Sequence, residues 1–147
     1  MNCAKAAART DWSAAAGLCQ KEAEGGDVAA QRTLAMMYDE GRGVGQDKAL
    51  AVTWYSRAAL GGDHRANERL GYMYRDGAGI KRDEKQSAQF FKRAADAGLN
   101  LSALEYGVAL DEGRGVSRND AEGETEYRSP PGSSAGLARG LDRMLTP

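Results

Sequence analysis

The hexapeptide DEGRGV occurs twice in this chain, at Asp39–Val44 and at Asp111–Val116, and a related segment, DGAGI, lies between them at Asp76–Ile80. Each segment carries a Gly-x-Gly pair. The corresponding glycines are Gly41, Gly77 and Gly113 for the first of each pair, and Gly43, Gly79 and Gly115 for the second. Their spacing is 36 residues, and a fixed period of this length is typical of stacked helical repeats.

The 36-residue period extends well beyond the glycine turns. Apolar, aromatic, acidic and small residues recur at the same spacing. The corresponding sets are Ala30 and Ala66; Leu34 and Leu70; Tyr38 and Tyr74; Asp47, Asp83 and Asn119; Trp54–Tyr55 and Phe90–Phe91; Ala58–Ala59 and Ala94–Ala95; and Gly62 and Gly98. So many coincidences at one spacing indicate a true internal repeat.

Each repeat predicts two helices joined by the glycine turn. Ala30, Leu34 and Tyr38 follow i, i+4, i+8 spacing, which places them on one apolar stripe of a first helix. Gly41 supplies the left-handed residue that ends this helix at little steric cost. Asp47 is a natural N-cap for a second helix, which buries alanines and aromatic residues. The turn therefore serves the architecture, since no strand precedes the glycines and no Gly-Lys-Ser/Thr follows them to bind phosphate.

Acidic residues mark the points where helices begin. Asp83 and Gln86 have the spacing of a capping box at the start of a second helix. The Gly61–Asp63 segment is expected to end one second helix and to cap the first helix that follows. These signals place helix boundaries at the same points in successive repeats.

Two stretches resemble the Sel-1-like repeat family, relatives of the tetratricopeptide repeat. They are AAQRTLAMMYDEGRGVGQDKALAVTWYSRAALGG at 29–62 and ANERLGYMYRDGAGIKRDEKQSAQFFKRAADAG at 66–98, and Ser102–Asn119 matches the first half of the pattern. The resemblance covers about residues 9–120, with Ala35 in place of the usual Gly and Leu110 in place of the usual Tyr. It implies a curved scaffold that binds other proteins.

The predicted fold is all-α: an α-solenoid, wound as a right-handed superhelix of antiparallel helix pairs. A chain of 147 residues suits one such domain with a real core. We expect an N-terminal partial repeat or cap at 1–29, repeats at 30–65 and 66–101, a degenerate repeat at 102–128, and a C-terminal cap or mobile tail at 129–147. Pro130 and Pro131 must interrupt a helix, so a cap and a mobile tail both remain open.

Composition argues against several classes of partner. The formal net charge is −1, and 28% of residues are charged, with both signs mixed along the chain. No basic stripe is present to bind a phosphate backbone, so we expect no nucleic-acid partner. No apolar run approaches the roughly 20 residues that cross a bilayer. Met1–Thr10 lacks the apolar core of a signal peptide, although one removed earlier stays an alternative. We expect a monomer when free, which does not span a membrane.

Candidate catalytic and metal-binding residues are sparse. His64 is the single histidine, and Cys3 and Cys19 do not have zinc-site spacing with it. The carboxylate pairs Asp39–Glu40 and Asp111–Glu112 lie at the ends of first helices, where a solvated rim explains them better than an acid–base dyad. We therefore predict no enzymatic activity, no metal site and no cofactor.

The two cysteines suggest a disulfide. If Met1–Arg9 and Trp12–Glu24 form an antiparallel hairpin, Cys3 and Cys19 lie at similar heights, because each helical residue rises ~1.5 Å. A bond there would hold the first helix to the stack and add ~3 kcal/mol by the chain-entropy model. It would favour a periplasmic or secreted protein. Two unrelated buried thiols in a cytoplasmic protein are the alternative.

Partner contacts are expected on the concave face of the solenoid, which the first helices line. Because the stripe containing Leu34 faces the second helix, residues two positions further on point away from it, toward the concavity. An apolar row bordered by charges of both signs has the composition of a protein-binding groove, with packing between repeats as the alternative. The predicted contacts are Arg32, Met36, Asp39, Glu68, Tyr72, Arg75, Leu104, Val108 and Asp111.

The family resemblance implies a protein-interaction module that holds a partner protein or peptide in this groove. Bacterial relatives are similar to regulators of envelope assembly, virulence factors and immunity proteins that neutralise a secreted toxin. An exported enzyme acting on cell-wall or β-lactam compounds is the competing class, and the chain lacks an obvious nucleophile–base pair for it. A fragment of a longer repeat array is a third alternative.

Overall fold

The computed structural model describes residues 1–116, which form seven α-helices and, within that range, no β-strand. The helices are α1 (Cys3–Ala8), α2 (Trp12–Glu24), α3 (Val28–Glu40), α4 (Lys48–Leu60), α5 (His64–Asp76), α6 (Glu84–Asp96) and α7 (Asn100–Glu112). We call α3, α5 and α7 the first helices of their repeats, and α2, α4 and α6 the second helices. Corresponding helices begin 36 residues apart, which confirms the predicted all-α solenoid. No described helix is both long and apolar enough to cross a bilayer.

The helices begin and end at the residues that the sequence predicts. Asp47, Asp63 and Asp83 each accept a hydrogen bond from the backbone N–H three residues further on. The N-cap of α7 is Leu99, which makes no side-chain cap hydrogen bond. The first glycine of each turn is left-handed: φ is 69° at Gly41, 70° at Gly77 and 66° at Gly113. The predicted N-caps and left-handed turns are thus confirmed, whereas the capping box is incomplete, because the backbone N–H of Asp83 donates to the Tyr74 carbonyl in place of Gln86.

The second glycine of each turn has a role that the sequence did not reveal. A Cβ atom on Gly43 would lie 2.2 Å from the carbonyl oxygen of Trp12, the first residue of α2. Gly79 and Gly115 lie equally close to the first turns of α4 and α6. Each of these glycines also has a positive φ. The turn must therefore approach the backbone of the preceding second helix, and only glycine permits this contact.

Consecutive helices pack against one another, and the core runs along the stack. Leu34, Leu70 and Tyr106 are buried at equivalent points of the three first helices. Gly71 lies against the ring of Phe91, and its carbonyl accepts a hydrogen bond from Ser87 Oγ at 2.7 Å. Because the side chains of each helix pair fill the space against the next pair, the repeats cannot bury their apolar stripes alone.

A disulfide joins Cys3 and Cys19 and fixes the short helix α1. Both cysteines are buried, and α1 packs against α2 and α3. The backbone N–H of Cys3 also donates to the Glu22 carboxylate. A six-residue helix is too short to be stable alone, so these contacts hold it in place.

The predicted subdivision into repeat units stays a prediction. The second half of the degenerate repeat at 102–128, including Asn119, and the cap or tail at 129–147 lie outside the described residues.

Candidate functional site

The solvent-facing sides of α3, α5 and α7 form one surface, which we call the first-helix surface. Ion pairs join α3 to α5 and α5 to α7 on this side, so the three helices are neighbours there. The nine predicted partner contacts all belong to these helices. They form three rows: Arg32, Glu68 and Leu104; Met36, Tyr72 and Val108; and Asp39, Arg75 and Asp111.

The charged members of the first row make contacts between repeats. Arg32 pairs with Asp63, the N-cap of α5, across 3.2 Å. Glu68 accepts a hydrogen bond from Ser102 Oγ at 2.9 Å. Leu104 is 48% exposed. Leu104 is therefore the apolar member of this row, and it is exposed.

The middle row is half-buried and forms the floor of the surface. Met36 packs against the main core, while the Tyr72 ring meets Phe91 edge to face, with ring centroids 4.9 Å apart. The Arg75 guanidinium lies 4.8 Å from the centre of the Tyr72 ring. Burial, and then the nearby carboxylates of α5 and α7, raise the pKa of Tyr72. Tyr72 thus combines a packing role with partial exposure, and Val108 is partly exposed beside it on α7.

The third row departs from the expected geometry. Asp39 does not project freely toward a concavity, since only 4% of its surface is exposed. Lys48 Nζ lies 2.7 Å from Asp39 Oδ1, and the Arg69 guanidinium lies 2.6 Å from Oδ2. These two long side chains cover the carboxylate. Arg75 and Asp111 are partly buried.

The ionisation of Asp39 follows from these partners. Burial alone would raise its pKa, because a carboxylate is less stable away from water. Hydrogen bonds and charge attraction from Lys48 and Arg69 outweigh burial, and the pKa of Asp39 lies below its usual value. Asp39 is therefore an anion at neutral pH, and it holds two cations beside it.

Ion pairs at equivalent positions of successive repeats have exchanged charges. Asp39 on α3 bonds Arg69 on α5, and 36 residues later Arg75 on α5 bonds Glu105 on α7 across 3.1 Å. The 36-residue period therefore determines which positions form an ion pair. It does not determine which member of the pair is acidic and which is basic. This pairing fixes the separation of neighbouring first helices.

Several residues of this surface were not among the predicted contacts. Lys48, Arg69 and Glu105 form its ion pairs, and Leu101 is the most exposed large apolar residue of α7. A signal for the ion pairs was available, because opposite charges recur 30 residues apart on consecutive first helices. Leu101 stands where α5 has Arg65, so a comparison of repeats would also have found it.

The described residues contain little that suggests catalysis. His64 is exposed at the first position of α5. Within residues 1–116, no group of three or more histidine, cysteine, aspartate or glutamate side chains is placed to hold a metal ion. The paired carboxylates Asp39 and Glu40 are each bound to cations, Glu40 to Arg42 at 2.6 Å. Their arrangement suits ion pairing more than proton transfer.

Comparison with known protein families gives a match over most of the chain. The family model described as Sel1 repeat matches residues 28–63, 64–99 and 101–124. These ranges include both complete helix pairs and α7. No protein with a curated functional description matches the chain.

Two solved bacterial structures are similar to this one. A Sel1 repeat protein from Oxalobacter formigenes shares 31% identity at a TM-score of 0.71, over 78% of this chain and 47% of that one. A protective antigen of uropathogenic Escherichia coli strains, which displays an SLR fold, shares 28% identity at a TM-score of 0.78. That alignment covers 92% of this chain and 30% of the antigen. The chain thus spans about half of the first relative and under a third of the second.

Proposed function

The chain belongs to the Sel1 repeat family, and from this premise we propose that it is a non-enzymatic module that binds a partner protein or peptide on its first-helix surface. Sel1 repeat proteins generally mediate protein–protein interactions. The whole proteins in which such repeats occur can be much longer than this chain, so the proposal concerns these repeats alone.

Exposed leucines on α7 carry the proposal. Leu101 is 61% exposed, and Leu104 lies one turn further along the same side of the helix. The equivalent positions on α5 are Arg65 and Glu68, so the leucines are not required by the repeat itself. Apolar residues bordered by ion pairs are the usual centre and rim of an interface. A partner would cover these leucines and contact Val108 beside them.

The test uses a matched pair of leucines. A photo-crosslinking amino acid at Leu104 should capture a partner from an extract of the source cells, whereas the same group at Leu60 should not. Leu60 is 90% exposed but lies at the end of the second helix α4, away from the proposed surface. With the captured partner purified, Leu104→Glu should weaken binding at least tenfold, and Leu60→Glu should leave affinity unchanged.

The opposite pattern would contradict the proposal. Capture from Leu60 alone, or equal affinity for the Leu104→Glu protein, would move the binding surface to the second helices. The test avoids Met36 and Tyr72, because both pack into the core and acidic substitutions there would also disturb the fold. Neutralising a secreted toxin by direct binding is the narrower form of this function, and the identity of the captured partner would reveal it.

Hydrolysis of a cell-wall or β-lactam compound is the competing function. We expect no turnover of a chromogenic β-lactam or of peptidoglycan fragments by the purified chain. Turnover that disappears in His64→Ala would replace the scaffold proposal with an enzymatic one, since His64 is the single histidine of the sequence.

The disulfide supports an oxidising compartment as the site of function. Buried disulfides persist in the periplasm or outside the cell and are rare in the cytoplasm. We therefore propose a periplasmic or secreted location for these repeats. Alkylation of thiols in intact cells, before lysis, should leave Cys3 and Cys19 unmodified; modification of both would place the protein in the cytoplasm.

A further inference from the structure

An open cleft of about 300 Å³ lies on the first-helix surface between α3 and α5. Asp39 lies at this cleft with the cations Lys48 and Arg69, and the Tyr72 ring and the Asp76 carboxylate also line it. We call it the Lys48–Arg69 cleft. Its mixture of one aromatic ring and several charges is unlike the apolar interior of the repeats.

Asp39 holds both cations in fixed positions. It is buried and bonds each of them, whereas the Lys48 and Arg69 side chains remain 44% and 47% exposed. An ammonium has three N–H donors and a guanidinium has five. Lys48 also donates to the Asp39 carbonyl and Arg69 also bonds Tyr55, so each cation keeps at least one donor for another acceptor. The three side chains together carry one positive charge, so an anion is the acceptor that they favour.

The remaining carboxylate of the cleft, Asp76, is already paired with a cation on its own helix. Asp76 Oδ1 lies 3.1 Å from Arg75 Nε, and the same guanidinium also bonds Glu105. An incoming anion would therefore meet Lys48 and Arg69 without an unpaired carboxylate beside them.

The equivalent positions one repeat further on have the opposite signs. Arg75, Glu84 and Glu105 stand 36 residues after Asp39, Lys48 and Arg69, respectively. The space among them is about 10 Å³, enough for no more than one water molecule. Glu84 and Glu105 there are paired with Arg82 and Arg75, and Arg114 also lines this space. Of these two equivalent sites, the Lys48–Arg69 cleft is the one with room for a carboxylate.

We propose that the Lys48–Arg69 cleft receives an acidic side chain of the bound partner and so sets the register of the partner along the repeats. The inference rests on the proposed function, because it assumes that a partner lies on the first-helix surface. The side-chain carboxylate would accept hydrogen bonds from Arg69 and Lys48, and its methylenes would rest on the Tyr72 ring. Charge-assisted bonds to a guanidinium are strong and directional. A partner shifted by one repeat would instead place its carboxylate at the narrow site beside Glu84 and Glu105, which has no room for it, and this disfavours the wrong register.

The experiment measures whether the cleft prefers a carboxylate. The full chain, labelled with ¹⁵N, is titrated with acetyl-Leu-Glu-Leu-amide and with the matched peptides that carry Gln or Lys in place of Glu. All termini are capped, so the carboxylate can come only from the side chain. We expect saturable shifts of the Arg69 Nε–H and Tyr72 signals with the Glu peptide, and affinity about tenfold lower for the Gln peptide. Salt should weaken the response to Glu selectively.

Substitutions of Lys48 and Arg69 test whether the peptide carboxylate binds in the cleft. Lys48→Gln and Arg69→Gln should each reduce affinity for the Glu peptide to that of the Gln peptide. Lys48→Gln keeps the bond between Arg69 and Asp39, so it provides the test even if Arg69→Gln does not fold. The control is Arg65→Gln, an exposed cation of the same helix, which should leave the affinity unchanged.

Three outcomes would overturn the inference: equal affinity for the three peptides, preference for the Lys peptide, or no response to the Glu peptide at Arg69 and Tyr72. If the peptides then shift Leu101 and Leu104 without regard to charge, the acidic anchor is wrong while the proposed function still stands. Loss of crosslinking at Leu104 would instead remove the proposed function itself.

Discussion

The guanidinium of Arg69 donates a hydrogen bond to Asp39 Oδ2 across 2.6 Å, and so joins α5 to α3 at a separation of 30 residues in the chain. At the equivalent positions of the next repeat the donor comes from the earlier helix, because Arg75 there donates to Glu105. Stacked repeats have few ways to fix the distance between neighbouring first helices besides side-chain packing. A pair that occurs with either polarity indicates that this distance, rather than a particular charge, is what the fold requires.

Replacing Asp39 by Asn should destabilise the fold. The carboxylate is buried and accepts charged hydrogen bonds from Lys48 and Arg69, whereas an amide oxygen accepts more weakly and leaves both cations uncompensated. We expect a loss of about 1–3 kcal/mol in the free energy of unfolding at pH 7, measured by urea denaturation. The control is Glu40→Gln, an exposed neighbour paired with Arg42, which should change stability by less than about 0.5 kcal/mol. Equal effects of the two substitutions would contradict the importance of burial.

The contribution of Asp39 should depend on pH in a specific direction. Its pKa is lower in the folded chain than in the unfolded chain, where an aspartate titrates near ~3.9. The stabilisation is therefore complete above that pH and disappears as the pH falls through the folded-state pKa. The stability difference between the wild type and Asp39→Asn should narrow below about pH 4. A difference that stays constant from pH 7 to pH 3 would show that the charge of Asp39 is not involved.

The two glycines after Gly41 provide a test of the turn. Alanine at Gly43 would place a Cβ 2.2 Å from the Trp12 carbonyl oxygen. It would also have to adopt the left-handed φ of 72° that glycine has there. We expect a loss of at least about 2 kcal/mol, of which the backbone conformation accounts for roughly half. Gly45 has no heavy atom within 4 Å of an added Cβ, so Gly45→Ala should be nearly neutral. The melting temperatures of the two variants would be compared with that of the wild type. A Gly43→Ala variant as stable as the wild type would mean that the turn can move away from α2.

The fold could be predicted from the sequence because its signals are local and repeated. Gly41 and Asp47 act on the residues beside them, so a reader of the sequence can assign a left-handed turn and a helix cap without knowing the tertiary structure. The role of Gly43 could not be assigned in this way. Its constraint comes from the carbonyl of Trp12 in the preceding helix pair, and only the packing of two repeats brings the residues together.

The surface was harder to predict because a period identifies equivalent residues but not their contacts. The 36-residue spacing aligned Asp39 with Arg75, yet their partners, Arg69 and Glu105, are related by a 30-residue step. Asp39 was expected to be open to solvent because of its angle around α3. Long flexible cations from α4 and α5 cover it, and a helical projection contains no information on such side chains.

The missing cap of α7 should be repairable. Leu99 has φ −78° and ψ 111°, close to the −80° and 112° of Asp63, which caps α5. An aspartate at position 99 would therefore accept a bond from the backbone N–H of Ser102, as Asp63 does from Ala66. We expect Leu99→Asp to raise the free energy of unfolding by about 1 kcal/mol relative to Leu99→Ala, which has no cap oxygen. Hydrogen exchange of the backbone amides of residues 100–103 should also be slower in Leu99→Asp than in Leu99→Ala. Equal stability of the two variants would show that the start of α7 does not adopt the geometry of α5.

Reduction of the disulfide should loosen the N-terminal end of the stack without unfolding the repeats. Cys3 and Cys19 close a loop across 16 positions, and removal of the bond is expected to cost about 3 kcal/mol by the chain-entropy model. Helix α1 has six residues and depends on this bond for its place, whereas α3 to α6 keep their own caps and core. A thiol assay on the unreduced, denatured chain should find no free thiol. Adding reductant should lower the melting temperature and open the 8–11 segment to proteolysis.

The matched control for that experiment is the double variant Cys3→Ala, Cys19→Ala. Small apolar residues fill much of the same buried space, but they cannot be cross-linked. Its melting temperature should equal that of the reduced wild type and should not respond to reductant. If reductant lowers the melting temperature of the double variant as well, the effect does not come from the disulfide. If the wild type melts at the same temperature with and without reductant, α1 is held by its contacts with α2 and α3 alone, and the disulfide does not contribute to the stability of the stack.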